Sequence, residues 1–192
     1  MATMSGVRRT LCAMLLVLCA APACGQDANK EPDRTGGPYV PTPQVVVDEM
    51  LRMAQVGSGD FVVDLGSGDG IIVLTAAQQY KARGMGIEID PKLVKLSNES
   101  AKRLGVAERV SFQVQDVFKA DLSRATVLTL YLLPSMMSEL QSKVFSELKP
   151  GTRVVSHAFD MGDWKPLRTE KVDGRTIYFW TVPGRDDERA QK

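Results

Sequence analysis

The sequence predicts an α/β fold, a doubly wound and mostly parallel seven-stranded sheet that closes with a C-terminal antiparallel hairpin. One observation behind this prediction is that short apolar runs alternate with segments of helical periodicity, which is the order of repeated strand–helix units. A second is that Asp173 and Gly174 separate two strand-like runs near the C-terminus, and this pair favours the two-residue turn of a hairpin.

The individual elements can be assigned in chain order. Helical periodicity of the apolar residues predicts helices at residues 42–56, 68–80, 90–105 and 135–151. Short runs of β-branched and apolar residues predict strands at residues 61–65, 83–89, 109–114, 125–133, 152–159, 166–172 and 175–182. Thr42, Asp90 and Ser135 are expected to cap their helices, because short polar side chains accept hydrogen bonds from the free N–H groups of the first turn.

Residues 1–23 predict an export signal. Two arginines precede an apolar run of about eleven residues, and small residues follow it, which is the order of regions in a secretory signal. The run is shorter than the ~20 residues that a membrane-spanning helix needs. Cys24 follows the predicted cleavage site and resembles a lipidated bacterial cysteine. The expected location is therefore periplasmic, or membrane-anchored through Cys24, with the cytoplasm as the alternative if the leader does not function.

The rest of the chain divides into a polar linker, a folded domain and a polar tail, with predicted bounds at residues 24–41, 42–183 and 184–192. All three cysteines lie at or before Cys24, so the domain has no disulfide, no Cys-x-x-Cys zinc site and no cysteine nucleophile, and no metal is expected. The net charge is +1 and no basic stripe stands out, which argues against a nucleic-acid partner.

The most informative stretch is VVDLGSGDG at residues 62–70, where a predicted strand leads into a predicted helix. Gly66, Gly68 and Gly70 allow the backbone to adopt positive φ and to approach a ligand closely. The dinucleotide fingerprint has the spacing G-x-G-x-x-G, whereas the spacing here is G-x-G-x-G. Asp64 precedes this loop, and its carboxylate would repel a pyrophosphate but would pair with an ammonium group. The expected ligand therefore carries an amine.

Two further carboxylates follow the next two predicted strands. Glu88 ends the second strand, where an acid can accept hydrogen bonds from both hydroxyls of a ribose. Asp116 follows the third strand and is expected near the amino group of an adenine. Three acids at successive strand ends, together with a glycine loop, fit a nucleoside with an amino-acid tail, which is the description of S-adenosylmethionine.

With these motifs in this order, the chain resembles the class I S-adenosylmethionine-dependent methyltransferases over residues 39–183 or so. The resemblance implies a Rossmann-like methyltransferase fold and S-adenosylmethionine as the cofactor. The cofactor-binding residues that it implies are Asp64, Gly66 and Gly68 at the methionine part, Glu88 at the ribose, and Asp116 and Val117 at the adenine, together with Ser67 and Gly70 of the same loop.

Several further stretches resemble a narrower group, the bacterial relatives of the mitochondrial protein-lysine N-methyltransferases that act on ATP synthase subunit c and the adenine nucleotide carrier. These stretches are PYVPTP, LGSGDG, TLYLLPS and LKPGTRVVSHAFDMGDWKP. The family pattern usually continues DGR after the loop, whereas this chain has Ile71 in place of the arginine. The resemblance implies methylation of a protein lysine or another amine, so the expected partner is a protein or a small-molecule methyl acceptor.

Two residues are candidates for the acceptor side of the site. Tyr131 lies where methyltransferases of amide or adenine nitrogens carry [DN]-PP-[YF], and the absence of that motif argues against a DNA adenine or glutamine target. Tyr131 either lines the acceptor site or packs in the core. His157, the only histidine, either assists proton removal or packs as a strand residue. The alternative to an enzyme is a non-catalytic exported module that keeps the fold as a binding scaffold.

Overall fold

The computed structural model describes residues 37–184. The predicted export signal at residues 1–23, Cys24, most of the predicted linker and residues 185–192 of the predicted tail lie outside the described residues, so those interpretations stay predictions. Within residues 37–184, none of the helices combines the length and the apolar character that crossing a membrane requires.

The elements alternate between strand and helix through most of the described chain. The helices are α1 (Gln44–Met53), α2 (Ile71–Tyr80), α3 (Pro91–Arg103) and α4 (Pro134–Glu147). The strands are β1 (Phe61–Leu65), β2 (Arg83–Glu88), β3 (Val110–Val114), β4 (Val127–Leu130), β5 (Arg153–His157), β6 (Arg168–Val172) and β7 (Arg175–Thr181). A short 3-10 helix (Val117–Lys119) follows β3.

The seven strands form one sheet in the order β3-β2-β1-β4-β5-β7-β6. The first five of these strands run parallel, and β7 pairs antiparallel with both β5 and β6. Asp173 and Gly174 at the hairpin turn have φ of 49° and 73°, the two positive values that a type I′ turn requires. The predicted fold class is confirmed, and the order reverses between β1 and β4, where ligands bind in such sheets.

Helices cover both faces of the sheet, which explains why the central strands are apolar at successive positions. In β4, Leu128 belongs to the cluster around α4, whereas its neighbour Val127 belongs to the cluster around α1 and α2. Because side chains alternate between the faces of a strand, a strand covered on both sides has no polar face. Trp164, which follows β5, is also buried in the α4 cluster, and its carbonyl accepts a 2.7 Å hydrogen bond from the Trp180 indole.

The structure confirms one of the three predicted helix caps and contradicts the other two. Asp90 caps α3 as predicted, since its carboxylate accepts a hydrogen bond from the Lys92 N–H. The prediction for Ser135 was wrong, because Pro134 takes the first position of α4, which suits its missing N–H and fixed φ. The prediction for Thr42 was also wrong: Pro43 occupies the N-cap position of α1, and the Thr42 hydroxyl bonds elsewhere.

Candidate functional site

A cavity of about 390 Å³ lies at the carboxyl ends of β1, β2 and β4. Its volume falls within the ~300–1,000 Å³ that is usual for small-molecule sites. The predicted site residues that line it are Asp64, Gly66, Ser67, Gly68, Glu88, Val117 and Tyr131. Gly70, Asp116 and His157 are not among the lining residues, although each is within one or two positions of a residue that is.

The glycine loop is held tightly against its surroundings. Gly68 and Gly70 have φ of 54° and 82°, values that L residues rarely adopt. A Cβ atom at Gly68 would lie 2.6 Å from the Tyr39 ring, and one at Gly70 would lie 2.6 Å from the Phe112 ring. The absence of a side chain at Gly70 therefore allows the Phe112 ring to pack against the loop, and its absence at Gly68 allows the Tyr39 ring to do the same.

Asp64 presents a buried carboxyl group that has little to balance a negative charge. The residue is 2% exposed, and in residues 37–184 its hydrogen-bond partner is the Thr129 hydroxyl, which donates at 2.7 Å. Burial raises the pKa of Asp64 to about 7, the Thr129 hydrogen bond opposes this shift, and the charges of Glu88 and Asp69 add to it. A cation placed beside Asp64 would supply the missing compensation and favour the ionised carboxylate.

Glu88 is oriented by three backbone N–H groups at the end of β2. Its Oε2 accepts from Gly68 at 2.9 Å, and its Oε1 accepts from Ile89 at 2.7 Å and from Asp90 at 2.9 Å. A carboxylate has about four acceptor positions, so about one remains free, on Oε2. The predicted hydrogen bonds between this side chain and both ribose hydroxyls stay a prediction.

One side of the cavity is acidic. Four of its lining residues carry carboxylates, namely Asp64, Asp69, Glu88 and Asp90. Among the described residues, none of those lining the cavity is a lysine, an arginine or a histidine. Such a site favours a ligand with positive charge and disfavours a phosphate.

Asp116 occupies a different place from the other predicted acids. Its carboxylate caps the 3-10 helix by accepting a 2.9 Å hydrogen bond from the Phe118 N–H, and the cavity wall is formed by its neighbour Val117. The structure therefore places Val117, and not Asp116, at the cavity wall. The predicted contact between Asp116 and an adenine stays a prediction.

The side of the cavity at β4 and β5 is apolar and aromatic. Tyr131, Leu132, Met136 and Phe159 line it, and the rings of Tyr131 and Phe159 are stacked with centroids 6.4 Å apart. Tyr131 is therefore exposed to the cavity, in line with the first of its two predicted roles.

His157 lies behind the Tyr131 ring. The two ring centroids are 4.0 Å apart, and His157 is 2% exposed. Burial, with a smaller effect from the charge of Arg175, lowers the pKa of His157 to about 4, so the imidazole is neutral at pH 7. A general base must reach the proton directly or through one water molecule. The structure does not bring His157 to the cavity wall, so its predicted part in proton removal stays a prediction.

Sequence reasoning missed the contribution of the segment before α1. Tyr39 lines the cavity, and its ring lies against Gly68 of the glycine loop. Partial burial, followed by the effect of the nearby Asp69 carboxylate, raises the pKa of Tyr39 to about 12. The motif PYVPTP marked this segment as part of the resemblance, but nothing in its local pattern predicts that it folds across the glycine loop.

A family model and several curated proteins that match this chain are all methyltransferases. Residues 64–168 match the ANTKMT methyltransferase domain. The chain is 40% identical over 150 residues to a protein-lysine N-methyltransferase of Saccharolobus islandicus, and the alignment covers 76% of this chain and 93% of that protein. It is 37% identical over 156 residues to the adenine nucleotide translocase lysine N-methyltransferase of Mus musculus, covering 81% of this chain and 68% of that protein.

A solved structure is also similar over most of the described chain. It is the RNA methyltransferase from Salinibacter ruber, crystallised in complex with S-adenosyl-L-homocysteine. The sequence identity is 55% and the TM-score 0.76, with 78% of this chain and 97% of that chain covered. The names of these similar proteins agree on methyl transfer and differ in the acceptor.

Proposed function

Because this chain belongs to the ANTKMT methyltransferase family and is an S-adenosylmethionine-dependent methyltransferase, we propose that it methylates the ε-amino group of a lysine in a protein. The lysine methyltransferases of Saccharolobus islandicus and Mus musculus support this acceptor. No comparison favours the alternative of a non-catalytic scaffold.

The residues present fit S-adenosylmethionine. The buried Asp64 carboxyl suits the positive charges of the methionine part, and the free acceptor position of Glu88 suits a ribose hydroxyl. Val117 offers an apolar surface for the adenine. When bound, S-adenosylmethionine supplies an electrophilic methyl group on a sulfonium sulfur, and the work of the protein is to hold the donor and the acceptor in line.

The observation that carries the lysine proposal is the division of one cavity into an acidic side and an aromatic side. A lysine must lose its proton before it can attack, and its free pKa is ~10.4. Tyr131, Met136 and Phe159 offer an apolar approach at the carboxyl ends of β4 and β5, where desolvation favours the neutral amine. The acidic side meanwhile holds the cationic donor.

RNA is the second candidate acceptor, since the similar protein of Salinibacter ruber is named an RNA methyltransferase. The charges of the cavity argue against it. RNA carries a phosphate at every nucleotide, and a cavity with four carboxylates and no lining cation among the described residues repels phosphate. The net charge of +1 gives no bulk attraction that offsets this repulsion.

One labelling experiment separates the two acceptors. The purified chain is incubated with S-adenosylmethionine that carries a radioactive methyl group and with a cell lysate, and the product is divided into samples treated with protease or with ribonuclease. We expect label that only protease removes and that acid hydrolysis releases as methyllysine. Label that ribonuclease removes would replace the lysine proposal with RNA methylation. The Glu88→Ala variant, which is expected to bind the donor poorly, gives the background.

Export by residues 1–23 and lipid modification of Cys24 also remain proposals, and they rest on the order of basic, apolar and small residues in the leader.

A further inference from the structure

Residues 37–42, here called the strap, cross one side of the cavity before α1 begins. Gly37, Tyr39 and Thr42 are among the strap residues that line the cavity. Near one end, the Tyr39 ring lies against Gly68 of the glycine loop. The strap therefore covers the loop that holds the methionine part of the cofactor.

The other end of the strap is tied to the sheet by His157. The Thr42 hydroxyl and His157 Nδ1 share a buried hydrogen bond of 3.2 Å between residues 115 positions apart in the sequence. The same imidazole packs against Tyr131, with ring centroids 4.0 Å apart. The His157 side chain thus contacts both Thr42 of the strap and Tyr131 of the aromatic side of the cavity.

We propose that His157 is a positioning residue that fastens the strap over the cofactor through Thr42 and supports the Tyr131 ring through packing. The second half of this inference rests on the proposed function, because it takes Tyr131 as part of the acceptor side. The first half concerns only the binding of S-adenosylmethionine and holds for any acceptor.

The chemistry of the site fits a fixed support better than a proton carrier. The imidazole is buried, and burial lowers its pKa to about 4, so the ring carries no charge at neutral pH. A neutral ring also packs on Tyr131 without the desolvation cost that a charged one would carry. Thr42 is itself buried, so loss of its hydroxyl leaves His157 with an unpaired polar atom.

Two variants of the full chain separate the two contacts. Thr42→Val removes the hydroxyl and keeps the shape of the side chain, so it breaks the strap end alone. His157→Asn keeps an amide near the position of Nδ1, so it can retain the bond to Thr42, but it removes the ring that packs on Tyr131. Thr42→Ser, which keeps the hydroxyl, is the matched control, and Thr42→Ala replaces Thr42→Val if that variant does not fold.

The first measurement is calorimetric titration with S-adenosylmethionine. We expect Thr42→Val to weaken the affinity about two- to tenfold, the range for one neutral hydrogen bond, and Thr42→Ser to restore it to within about twofold. His157→Asn should bind within about twofold of the wild type. An unchanged affinity in Thr42→Val with an unchanged melting temperature would overturn the strap contact, as would a loss that Thr42→Ser does not restore.

The second measurement is the rate of methyl transfer against pH. If His157 supports Tyr131, His157→Asn lowers kcat about two- to tenfold, the range for one aromatic contact, and leaves the shape of the pH profile unchanged. If His157 is instead the base, the acid limb of the profile changes its shape in the variant, and the positioning role is wrong. An unchanged kcat also overturns it. Because the titration needs no acceptor, a wrong lysine assignment would leave the first result intact.

Discussion

The two halves of the cavity are built in different ways. The acidic half is formed by Asp64, Asp69, Glu88 and Asp90, and three of these carboxylates, all except Asp64, accept hydrogen bonds from backbone N–H groups of the loops that follow β1 and β2. The aromatic half is formed by Tyr131, Met136 and Phe159, and its Tyr131 ring packs on His157, which is in turn hydrogen-bonded to Thr42 of the strap. The acidic half is therefore organised locally, whereas the aromatic half depends on the assembled domain.

Removal of Glu88 is expected to have the largest effect on the acidic half. Glu88→Ala removes the carboxylate that we propose accepts a ribose hydroxyl, and it frees three backbone N–H groups, one of them in the glycine loop. We expect S-adenosylmethionine to bind about ten- to hundredfold more weakly in calorimetric titration, since a hydrogen bond to a charged group contributes about 1.5–3 kcal/mol.

The control for this prediction is Glu88→Gln, which keeps a carbonyl acceptor and the shape of the side chain. Its affinity should lie between those of the wild type and Glu88→Ala. Equal affinity in the wild type and Glu88→Ala would show that the side chain serves the loop alone, and the assignment to the ribose would then be withdrawn.

The same contrast explains how much the sequence could predict. The glycine loop, Asp64 and Glu88 were found because a strand, a tight turn and a polar residue at the strand end are all local patterns. The sheet and its closing hairpin followed from the order of such patterns. The hydrogen bond from Thr129 to Asp64 could not be predicted even here, because Thr129 lies in an apolar strand and nothing in the sequence distinguishes it from its neighbours.

The aromatic half could not be predicted in the same way. His157 was correctly placed at the end of β5, but a strand pattern does not say that its ring meets Tyr131 and Thr42. Thr42 has the ordinary pattern of a helix cap, and its hydroxyl is used instead by a residue 115 positions away. Long-range side-chain contacts of this kind are set by packing, and one sequence carries no local signal for them.

The protonation of Asp64 offers a second test of the acidic half. In the free protein its pKa is raised to about 7 by burial, with Glu88 and Asp69 adding to the shift and Thr129 opposing it. A cationic ligand prefers the ionised carboxylate, so below this pKa binding must expel a proton. The affinity for S-adenosylmethionine should therefore rise several-fold from pH 6 to about pH 7.5 and should fall again above pH 8, where the α-amino group of the ligand, with a pKa of ~7.7–8.0, loses its proton.

Asp64→Asn is the variant that isolates this titration. It should bind more weakly than the wild type at pH 8 and should lose most of the rise with pH, because the amide does not ionise. Calorimetric titration in buffers with different heats of ionisation should also show that Asp64→Asn releases fewer protons than the wild type when it binds S-adenosylmethionine at pH 6. A rise that persists unchanged in Asp64→Asn would belong to another group or to the ligand, and the role of Asp64 would then be wrong.

The smallest expected effect comes from adding a positive charge at Ile71, which lines the cavity at the start of α2. S-Adenosylmethionine carries a positive sulfur and S-adenosylhomocysteine does not. Four carboxylates line the cavity with no lysine, arginine or histidine among the lining residues of the described part of the chain, so the cavity should favour S-adenosylmethionine. Ile71→Arg adds a cation near Asp69 and should narrow the ratio of the two affinities about two- to fivefold, the range for one partly exposed charge pair. Ile71→Met changes the shape without the charge and should leave the ratio as it is. If Ile71→Arg and Ile71→Met changed this ratio equally, the effect would come from packing. The charge of the acidic half would then not explain a preference for S-adenosylmethionine.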